Sequence, residues 1–194
     1  GGGKTLVGLL VAQSILHELN RRVLYVVANN QLVEQTLARA SELSIQTSAR
    51  YDGQWHNQES FQSAESICVT NYAAVFNGFS TFRDKGNAGL VFDDAHVAES
   101  LIRDQFTLKI PSDWDAFDKV VALFRPHFAN SIGASKLQDI EEDSPRALLF
   151  VPMFVVWKHA QELRTLLLEE QIDKQDSTKY VWNHLADHLS HCCV

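Results

Sequence analysis

Two short polar stretches in the first half of the chain hold the residues best suited to chemistry. The first, residues 1–5, has three glycines, a lysine and a threonine directly before an apolar helical pattern. Glycines let backbone N–H groups turn inward around an anion, and a following helix adds partial positive charge there. In such a loop Lys4 reaches the β- and γ-phosphates of a nucleotide, and the Thr5 hydroxyl ligates Mg²⁺. The stretch therefore predicts a nucleotide-phosphate loop made of Gly1, Gly2, Gly3, Lys4 and Thr5.

This loop is incomplete at its start. The full pattern begins with a glycine separated by four residues from the final Gly-Lys-Thr, and that position would precede residue 1. Residue 1 is also not a methionine. We therefore expect a longer parent chain, and a weaker affinity for ATP in this piece than in the parent.

The second stretch is Asp93-Asp94-Ala95-His96, which follows the apolar run 89–92. In phosphate-loop enzymes, an acidic residue at the end of a buried strand holds Mg²⁺ opposite the loop hydroxyl. A neighbouring carboxylate can orient and deprotonate the attacking water. The pattern assigns Asp93 to the metal and Asp94 to the water.

Alternating apolar patterns indicate the elements that must position these residues. Short β-branched runs predict strands and 3.6-residue periodicity predicts helices, whereas residues 52–64 are polar and are predicted to form a loop. Strands are predicted at 23–28, 45–51, 66–70 and 89–92, the last of them buried, and helices at 5–20, 31–43 and 71–76. Strands that alternate with helices predict a parallel sheet with helices on both faces, whose carboxyl-end edge carries ligand residues.

The pattern changes after about residue 110. Helices are predicted at 112–128, with Ser112 as a cap, and at 148–172 and 178–191, with no parallel-sheet strand between them. We therefore divide the chain into an α/β domain, residues 1–110, and an α-helical insertion or subdomain, residues 111–194.

The two polar stretches resemble motifs I and II of superfamily 2 helicases, the DEAD/DEAH-box group. Two intermediate stretches support this resemblance: residues 25–35 are similar to motif Ia, and residues 69–72 are similar to a later strand-end motif that contacts the nucleic-acid backbone. The resemblance extends over residues 1–105. It implies the first RecA-like lobe of an ATP-dependent helicase or translocase, with ATP and Mg²⁺ as cofactors.

The resemblance also implies roles for individual residues. Lys4 would bind phosphate, Thr5 and Asp93 would hold Mg²⁺, Asp94 would be the catalytic carboxylate, and His96 would couple the nucleotide to later motifs. A single strand of DNA or RNA would be contacted, mainly at its phosphates, by Asn29, Asn30, Gln31, Thr70, Asn71 and Tyr72. The partner required for activity would be the second helicase lobe of the same parent chain. This fragment alone is therefore expected to be weakly active or inactive.

Two departures from the family pattern affect these expectations. Family members usually carry Glu at the position of Asp94, and Asp is shorter by one methylene, about 1.5 Å of reach, so we expect either slower hydrolysis or a shifted backbone. They usually carry Pro-Thr at the position of Asn29-Asn30. Two interpretations stay open at this edge, because Asn30 and Gln31 can either cap the next helix or contact phosphate. The same choice applies to Thr70 and Asn71.

The helical second half is similar to the insertions of Rad3/XPD-like members. Members with an iron–sulfur cluster use four cysteines, whereas this chain has three, with Cys192 and Cys193 adjacent, and we exclude a cluster within it. His184 and His188 have the spacing of metal ligands on one helix face, but interleaved leucines favour a packing role.

Composition excludes some classes of protein. The net charge of −7 argues against a dedicated nucleic-acid-binding module, which would be basic, but allows a local groove. Three cysteines form no disulfide framework, which favours a reducing cytoplasm, nucleoid or nucleus. The apolar run 147–157 is too short for a bilayer, so no membrane partner is expected.

Two alternatives to the helicase function remain. One is a phosphate-loop nucleotide switch without a nucleic-acid track, and the other is a scaffold that binds ATP with little turnover.

Overall fold

The computed structural model describes residues 3–83, 88–142, 144 and 147–194. The chain forms two compact units, Gly1–Gln105 and Phe106–Val194. Each unit has its own secondary structure and its own apolar core, and each is described separately.

The first unit is built on a five-stranded, mostly parallel sheet. Its strands are β1 (Val23–Val27), β2 (Thr47–Tyr51), β3 (Gln54–His56), β4 (Ile67–Asn71) and β5 (Gly89–Phe92), in the spatial order β3-β2-β4-β1-β5. β1 runs parallel to β4 and β5, β2 runs parallel to β4, and β3 is antiparallel to β2. Its helices are α1 (Lys4–Glu18), α2 (Asn30–Glu42), α3 (Gln58–Gln62), α4 (Tyr72–Phe76) and α5 (Ala95–Gln105). The predicted α/β fold, a RecA-like parallel sheet flanked by helices, is confirmed.

Helices cover both faces of this sheet because successive strand side chains point to opposite sides. In β1, Val23, Tyr25 and Val27 pack into a core with the apolar faces of α1 and α2. The alternate residues Leu24 and Val26 pack on the other face with residues of α3, α4 and α5. Since β1 is buried on both faces, it reads in the sequence as a continuous apolar run.

The prediction of a loop at residues 52–64 is wrong, because β3 and α3 lie there. The ring of Trp55 on β3 stacks on Phe61 of α3, with centroids 5.7 Å apart, and meets Phe82 edge to face at 5.4 Å. These elements are three and five residues long, too short to show a periodicity. Aromatic packing stabilises them, and that packing requires partners distant in sequence.

The interpretation of β5 as a buried strand is also wrong. Among the described residues β5 pairs only with β1, so it is an edge strand, and Leu90 and Phe92 are 45% and 39% exposed. Gly89 packs closely against Ile15 of α1. An apolar run indicates hydrophobic side chains but not how many neighbours cover them.

Among its described residues, the second unit contains helices and no strand. It contains α6 (Asp115–Phe124), α7 (Gly133–Glu141), α8 (Met153–Glu169) and α9 (Lys179–Leu185), with short 3₁₀ turns after α6 and α9. The predicted cap at Ser112 is wrong, because α6 begins at Asp115 after Trp114, and α7 was not among the predicted helices. The core of the unit gathers around α8 and includes Leu163, Leu167 and Trp182.

The helices were also compared with the length and hydropathy that a bilayer requires. Within the described residues, none combines enough length with enough apolar character to cross a membrane.

Candidate functional site

A pocket of about 510 Å³ lies where the start of α1 meets the carboxyl end of β5. It brings the two predicted polar stretches together, although they are far apart in the sequence. One side of α2 completes the wall. The residues that line the pocket are Gly3, Lys4, Thr5, Leu6, Leu32, Gln35, Thr36, Arg39, Asp93 and Asp94.

The turn into α1 is made by Gly3, which precedes the first helical residue, Lys4. Gly3 has a φ of 71°, in the left-handed region, and no atom lies within 4 Å of where its Cβ would be. The backbone dihedral, rather than crowding, is therefore what favours glycine here. The first turn of α1 lines the pocket, and the N–H groups at the start of a helix have no acceptor within the helix itself. Gly1 and Gly2, which belong to the predicted loop, lie outside the described residues.

The backbone of Asp93 is held from two directions. Its N–H donates to the carbonyl of Val26 at 2.9 Å, which extends the pairing of β5 with β1. Its carbonyl accepts a hydrogen bond from the Tyr72 hydroxyl, also at 2.9 Å. These two hydrogen bonds fix the main chain of Asp93, and they therefore fix the position from which its side chain extends.

Two buried tyrosines bear on Asp93. Tyr25 and Tyr72 are each 1% exposed, and the Tyr72 hydroxyl donates to the Asp93 carbonyl. Burial, followed by the negative charge of Asp93, raises the pKa of Tyr25 and that of Tyr72 above their ordinary values. Both hydroxyls therefore keep their protons at neutral pH, and that of Tyr72 donates to the Asp93 carbonyl.

Asp94 occupies the turn between β5 and α5. Its φ of 54° is left-handed, a region that Asp tolerates better than most residues, and its carbonyl accepts from Val97 N–H at 3.1 Å. The side chain is exposed and lines the pocket. His96 is also exposed, on the first turn of α5, and it is not among the described residues that line the pocket.

Two asparagines at the carboxyl-end edge of the sheet cap helices. The Asn29 side chain accepts from Leu32 N–H at 3.0 Å and caps α2. The Asn71 side chain accepts from Ala74 N–H at 2.7 Å and caps α4. The capping role considered for Asn30 and Gln31 thus belongs to Asn29, one residue earlier.

Asn30 connects three loops at the same edge. Its amide nitrogen donates to the Asp52 carboxylate, and its amide oxygen accepts from the Asn71 amide nitrogen at 2.5 Å. Asp52 follows β2 with a left-handed φ of 48°. Sequence reasoning missed Asp52, although the Asp52-Gly53 pair after a strand is itself a turn signal.

The other polar residues of this edge differ in exposure. Thr70 is fully buried, and its hydroxyl donates to the Arg50 carbonyl at 2.6 Å. Tyr72 is buried against Asp93, as described above. Gln31 and Asn29 are exposed, whereas Asn30 and Asn71 are partly exposed. The structure therefore presents four of the six predicted nucleic-acid residues at the surface and encloses the other two.

The pocket also contains a cation that the sequence did not suggest. Arg39 lies on the same face of α2 as Leu32, Gln35 and Thr36, and its guanidinium contacts Glu42 at 2.5 Å. Spacings of three, four and seven residues place these side chains on one helix face. Only the packing of α2 beside α1 shows that this face borders the pocket.

The residues present fit a nucleotide phosphate with a divalent cation. The Thr5 hydroxyl and the Asp93 carboxylate belong to residues that line the same pocket. Such hard oxygen donors suit Mg²⁺, which usually keeps several waters and takes its other ligands from phosphates. Lys4, Arg39 and the start of α1 supply positive charge on the same pocket.

Comparison with known protein families gives a match for this chain. A family model described as "Type III restriction enzyme, res subunit" matches residues 1–128. No curated protein and no solved structure matches the chain. The matched range covers more than half of the chain and contains both polar stretches.

Proposed function

Because the chain belongs to the type III restriction enzyme res-subunit family, whose domain is the N-terminal domain of DEAD-like superfamily 2 helicases, we propose that it is the ATP-hydrolysing motor lobe of a nucleic-acid translocase. The family makes residues 1–128 a helicase-like ATP-binding domain. The observation that carries the proposal is the convergence of Lys4 and Thr5 with Asp93 and Asp94 on one pocket.

In the proposed site, the phosphates lie against the start of α1. Lys4 pairs with the β- and γ-phosphates, and the N–H groups of the first helical turn donate to their oxygens. Arg39, which also lines the pocket, adds a second positive charge. Gly1 and Gly2 belong to the same loop in this proposal.

Thr5 and Asp93 are the proposed protein ligands of Mg²⁺. When bound, this ion neutralises charge on the β- and γ-phosphate oxygens. Asp94 accepts a proton from the attacking water, and its exposed carboxylate on the pocket wall suits that role. His96, on the first turn of the adjoining helix α5, is proposed to couple the nucleotide state to the rest of the motor.

The edge formed by Asn29, Gln31, Asn30 and Asn71 is the proposed nucleic-acid surface. Amides at the surface contact the phosphates of single-stranded DNA or RNA and position the strand without reading its sequence. Thr70 and Tyr72 contribute from inside by fixing the strand ends. Movement along the strand requires a second helicase lobe, and the helical residues 111–194 form an insertion in the first one.

ATP hydrolysis by the full-length protein, with and without single-stranded DNA and RNA, tests this proposal. We expect a polynucleotide to raise the rate, and Lys4→Ala to abolish it because the phosphate loses its main cation. Lys158→Ala, an exposed lysine of the helical unit, is the control and should leave the rate unchanged.

Either of two results would overturn the motor assignment. Hydrolysis that no polynucleotide stimulates would favour the nucleotide switch. Binding of ATP without turnover would favour the scaffold, for which the short side chain of Asp94 is the supporting observation.

A further inference from the structure

One face of α2 lines the pocket with three polar side chains, although neither of the two polar stretches contains this helix. Gln35, Thr36 and Arg39, which we call the α2 wall, all line the pocket. Arg39 follows Gln35 by four residues and Thr36 by three, so the three side chains share one side of the helix. Their amide, hydroxyl and guanidinium groups all donate hydrogen bonds. The α2 wall therefore offers donors to a ligand in the pocket.

Thr36 is a buried polar residue whose hydroxyl is uncommitted. It is 4% exposed and belongs to the buried side of α2 together with Val33 and Ala40. Its hydroxyl makes no hydrogen bond with any of the described residues. A hydroxyl that is removed from water without gaining a partner destabilises the fold. Because Thr36 lines the pocket, a ligand bound there can supply the missing partner.

The other two side chains of the α2 wall are exposed and have donors to spare. Gln35 makes no hydrogen bond with the residues that the structure describes. Arg39 contacts Glu42 through one guanidinium nitrogen, Nη1, and a guanidinium has five N–H donors. Exposed ion pairs contribute little free energy, so an anion in the pocket can compete with Glu42 for the guanidinium.

The chemistry of the α2 wall indicates which part of a nucleotide it suits. Donors and a positive charge match phosphate oxygens, which only accept. A phosphate loop cradles the α- and β-phosphates, and its lysine reaches the β- and γ-phosphates. Asp94, the proposed acceptor of a proton from the attacking water, lines the same pocket as the α2 wall. The terminal phosphate is therefore the group left for a second set of donors.

We propose that the α2 wall binds the terminal phosphate of a nucleoside triphosphate through Gln35, Thr36 and Arg39, and that the site thereby distinguishes ATP from ADP. This inference rests on the proposed function, because it assumes that Lys4 and the start of α1 hold the other phosphates. The phosphates then lie between two helices, α1 and α2, rather than against α1 alone.

Thr36→Val tests this proposal because it replaces the hydroxyl by a methyl group of similar size. The measurement is equilibrium binding of a non-hydrolysable ATP analogue and of ADP to the full-length protein, both with Mg²⁺. We expect affinity for the analogue to fall by about 10-fold or more, since a hydrogen bond to a charged group is lost, while affinity for ADP stays within about twofold. Thr36→Ser retains a hydroxyl and should lose less affinity for the analogue than Thr36→Val.

Chemical denaturation of the same variant without nucleotide distinguishes a binding role from a structural one. Thr36→Val should be at least as stable as the wild type, because the hydroxyl that it removes has no partner among the described residues. A loss of affinity in Thr36→Val then comes from the missing contact and not from unfolding.

Arg39→Ala is a second test at an exposed position, where folding does not depend on the side chain. It should also weaken binding of the analogue by about 10-fold or more and that of ADP by less than about twofold. Arg103→Ala is the matched control, because Arg103 is an exposed arginine of α5 that pairs with Glu99 on its own helix, as Arg39 pairs with Glu42. Arg103 is not among the described residues that line the pocket, and its loss should change neither affinity.

An unchanged preference for the ATP analogue over ADP in either Thr36→Val or Arg39→Ala would overturn the inference and leave the proposed function standing. An equal loss of affinity for both nucleotides would do the same, because the α2 wall would then contact a part that ATP and ADP share. Absence of nucleotide binding in the wild type would instead overturn the proposed function, and the inference with it.

Discussion

At the scale of single residues, neighbouring carboxylates acquire different environments from the local backbone. Asp93 continues the pairing of β5, and its carbonyl accepts from the buried Tyr72 hydroxyl, whereas Asp94 turns into a left-handed conformation and is exposed. A carboxylate on a fixed main chain suits metal binding, and an exposed one suits proton transfer to and from water. The backbone thus supports the division of roles that the spacing predicted.

The role proposed for Asp94 leads to a prediction for Asp94→Asn. Asn tolerates the left-handed region as Asp does, so the turn is kept and only the proton acceptor is lost. We expect ATP affinity to stay within about twofold while the hydrolysis rate falls by about 100-fold or more, measured by equilibrium binding and steady-state turnover. Asp139→Asn, an exposed position in the helical unit, is the matched control, and an unchanged rate in Asp94→Asn would remove Asp94 from the chemistry.

At the scale of elements, helix caps occupy the edge proposed for nucleic acid. Asn29 and Asn71 cap the helices that leave β1 and β4, and Asn30 ties both loops to Asp52 after β2. This network stiffens the edge. The network also occupies the polar side chains that a nucleic-acid phosphate would need. Helix capping and phosphate contact therefore compete for the same atoms.

Substitutions at Asn29 separate capping from nucleic-acid contact. Asn29→Ala should lower the free energy of unfolding by about 1 kcal/mol, because the N–H of Leu32 loses its acceptor. Asn29→Asp keeps that acceptor and suits the positive end of α2, so stability should be retained while binding of single-stranded DNA or RNA weakens by charge repulsion. Chemical denaturation and fluorescence anisotropy measure the two effects, and unchanged nucleic-acid affinity in Asn29→Asp would exclude Asn29 from the interface.

The elements also show how far periodicity predicts structure. Strands β1, β2 and β5 lie within the segments predicted for them, and β4 extends one residue beyond its segment, to Asn71. β-branched runs bounded by turn residues are strong local signals. The short elements β3 and α3 were missed because aromatic contacts stabilise them. The edge position and exposure of β5 could not be predicted, because they depend on neighbours that an apolar run does not specify.

At the scale of the whole chain, the two units have separate cores. The clusters around β1 contain only residues of Gly1–Gln105, and the cluster around α8 contains only residues of Phe106–Val194. The net charge of −7 makes long-range attraction of nucleic acid weak. The proposed binding of single-stranded DNA or RNA must therefore come from local contacts. Its affinity should depend only modestly on salt concentration.

Separate cores predict that damage to one unit leaves the other functional. Trp182→Ala removes a ring that is 6% exposed in the core of the helical unit, and it should destabilise that unit by about 3–5 kcal/mol. Nucleotide affinity should stay unchanged, because the pocket residues all belong to the first unit. Trp157→Ala is the control, since Trp157 is 69% exposed and its loss should cost little.

Calorimetry with and without nucleotide measures this outcome. We expect the transition of the helical unit to move to lower temperature in Trp182→Ala, while the transition stabilised by nucleotide stays in place. Equal shifts of all unfolding transitions would show instead that the two units unfold as one.

The sequence alone determined the features that depend on local chemistry. Glycines before Lys4 and Thr5, a strand that ends in Asp93 and Asp94, and alternating apolar patterns specify the α/β fold and the candidate nucleotide site, because backbone freedom, charge and periodicity are properties of short segments. The tertiary structure decided what depends on contacts between distant segments. It brought Thr5 and Asp93 to one pocket, turned Arg39 to the pocket wall and enclosed Thr70. No local pattern encodes these contacts, since each requires two elements to pack together.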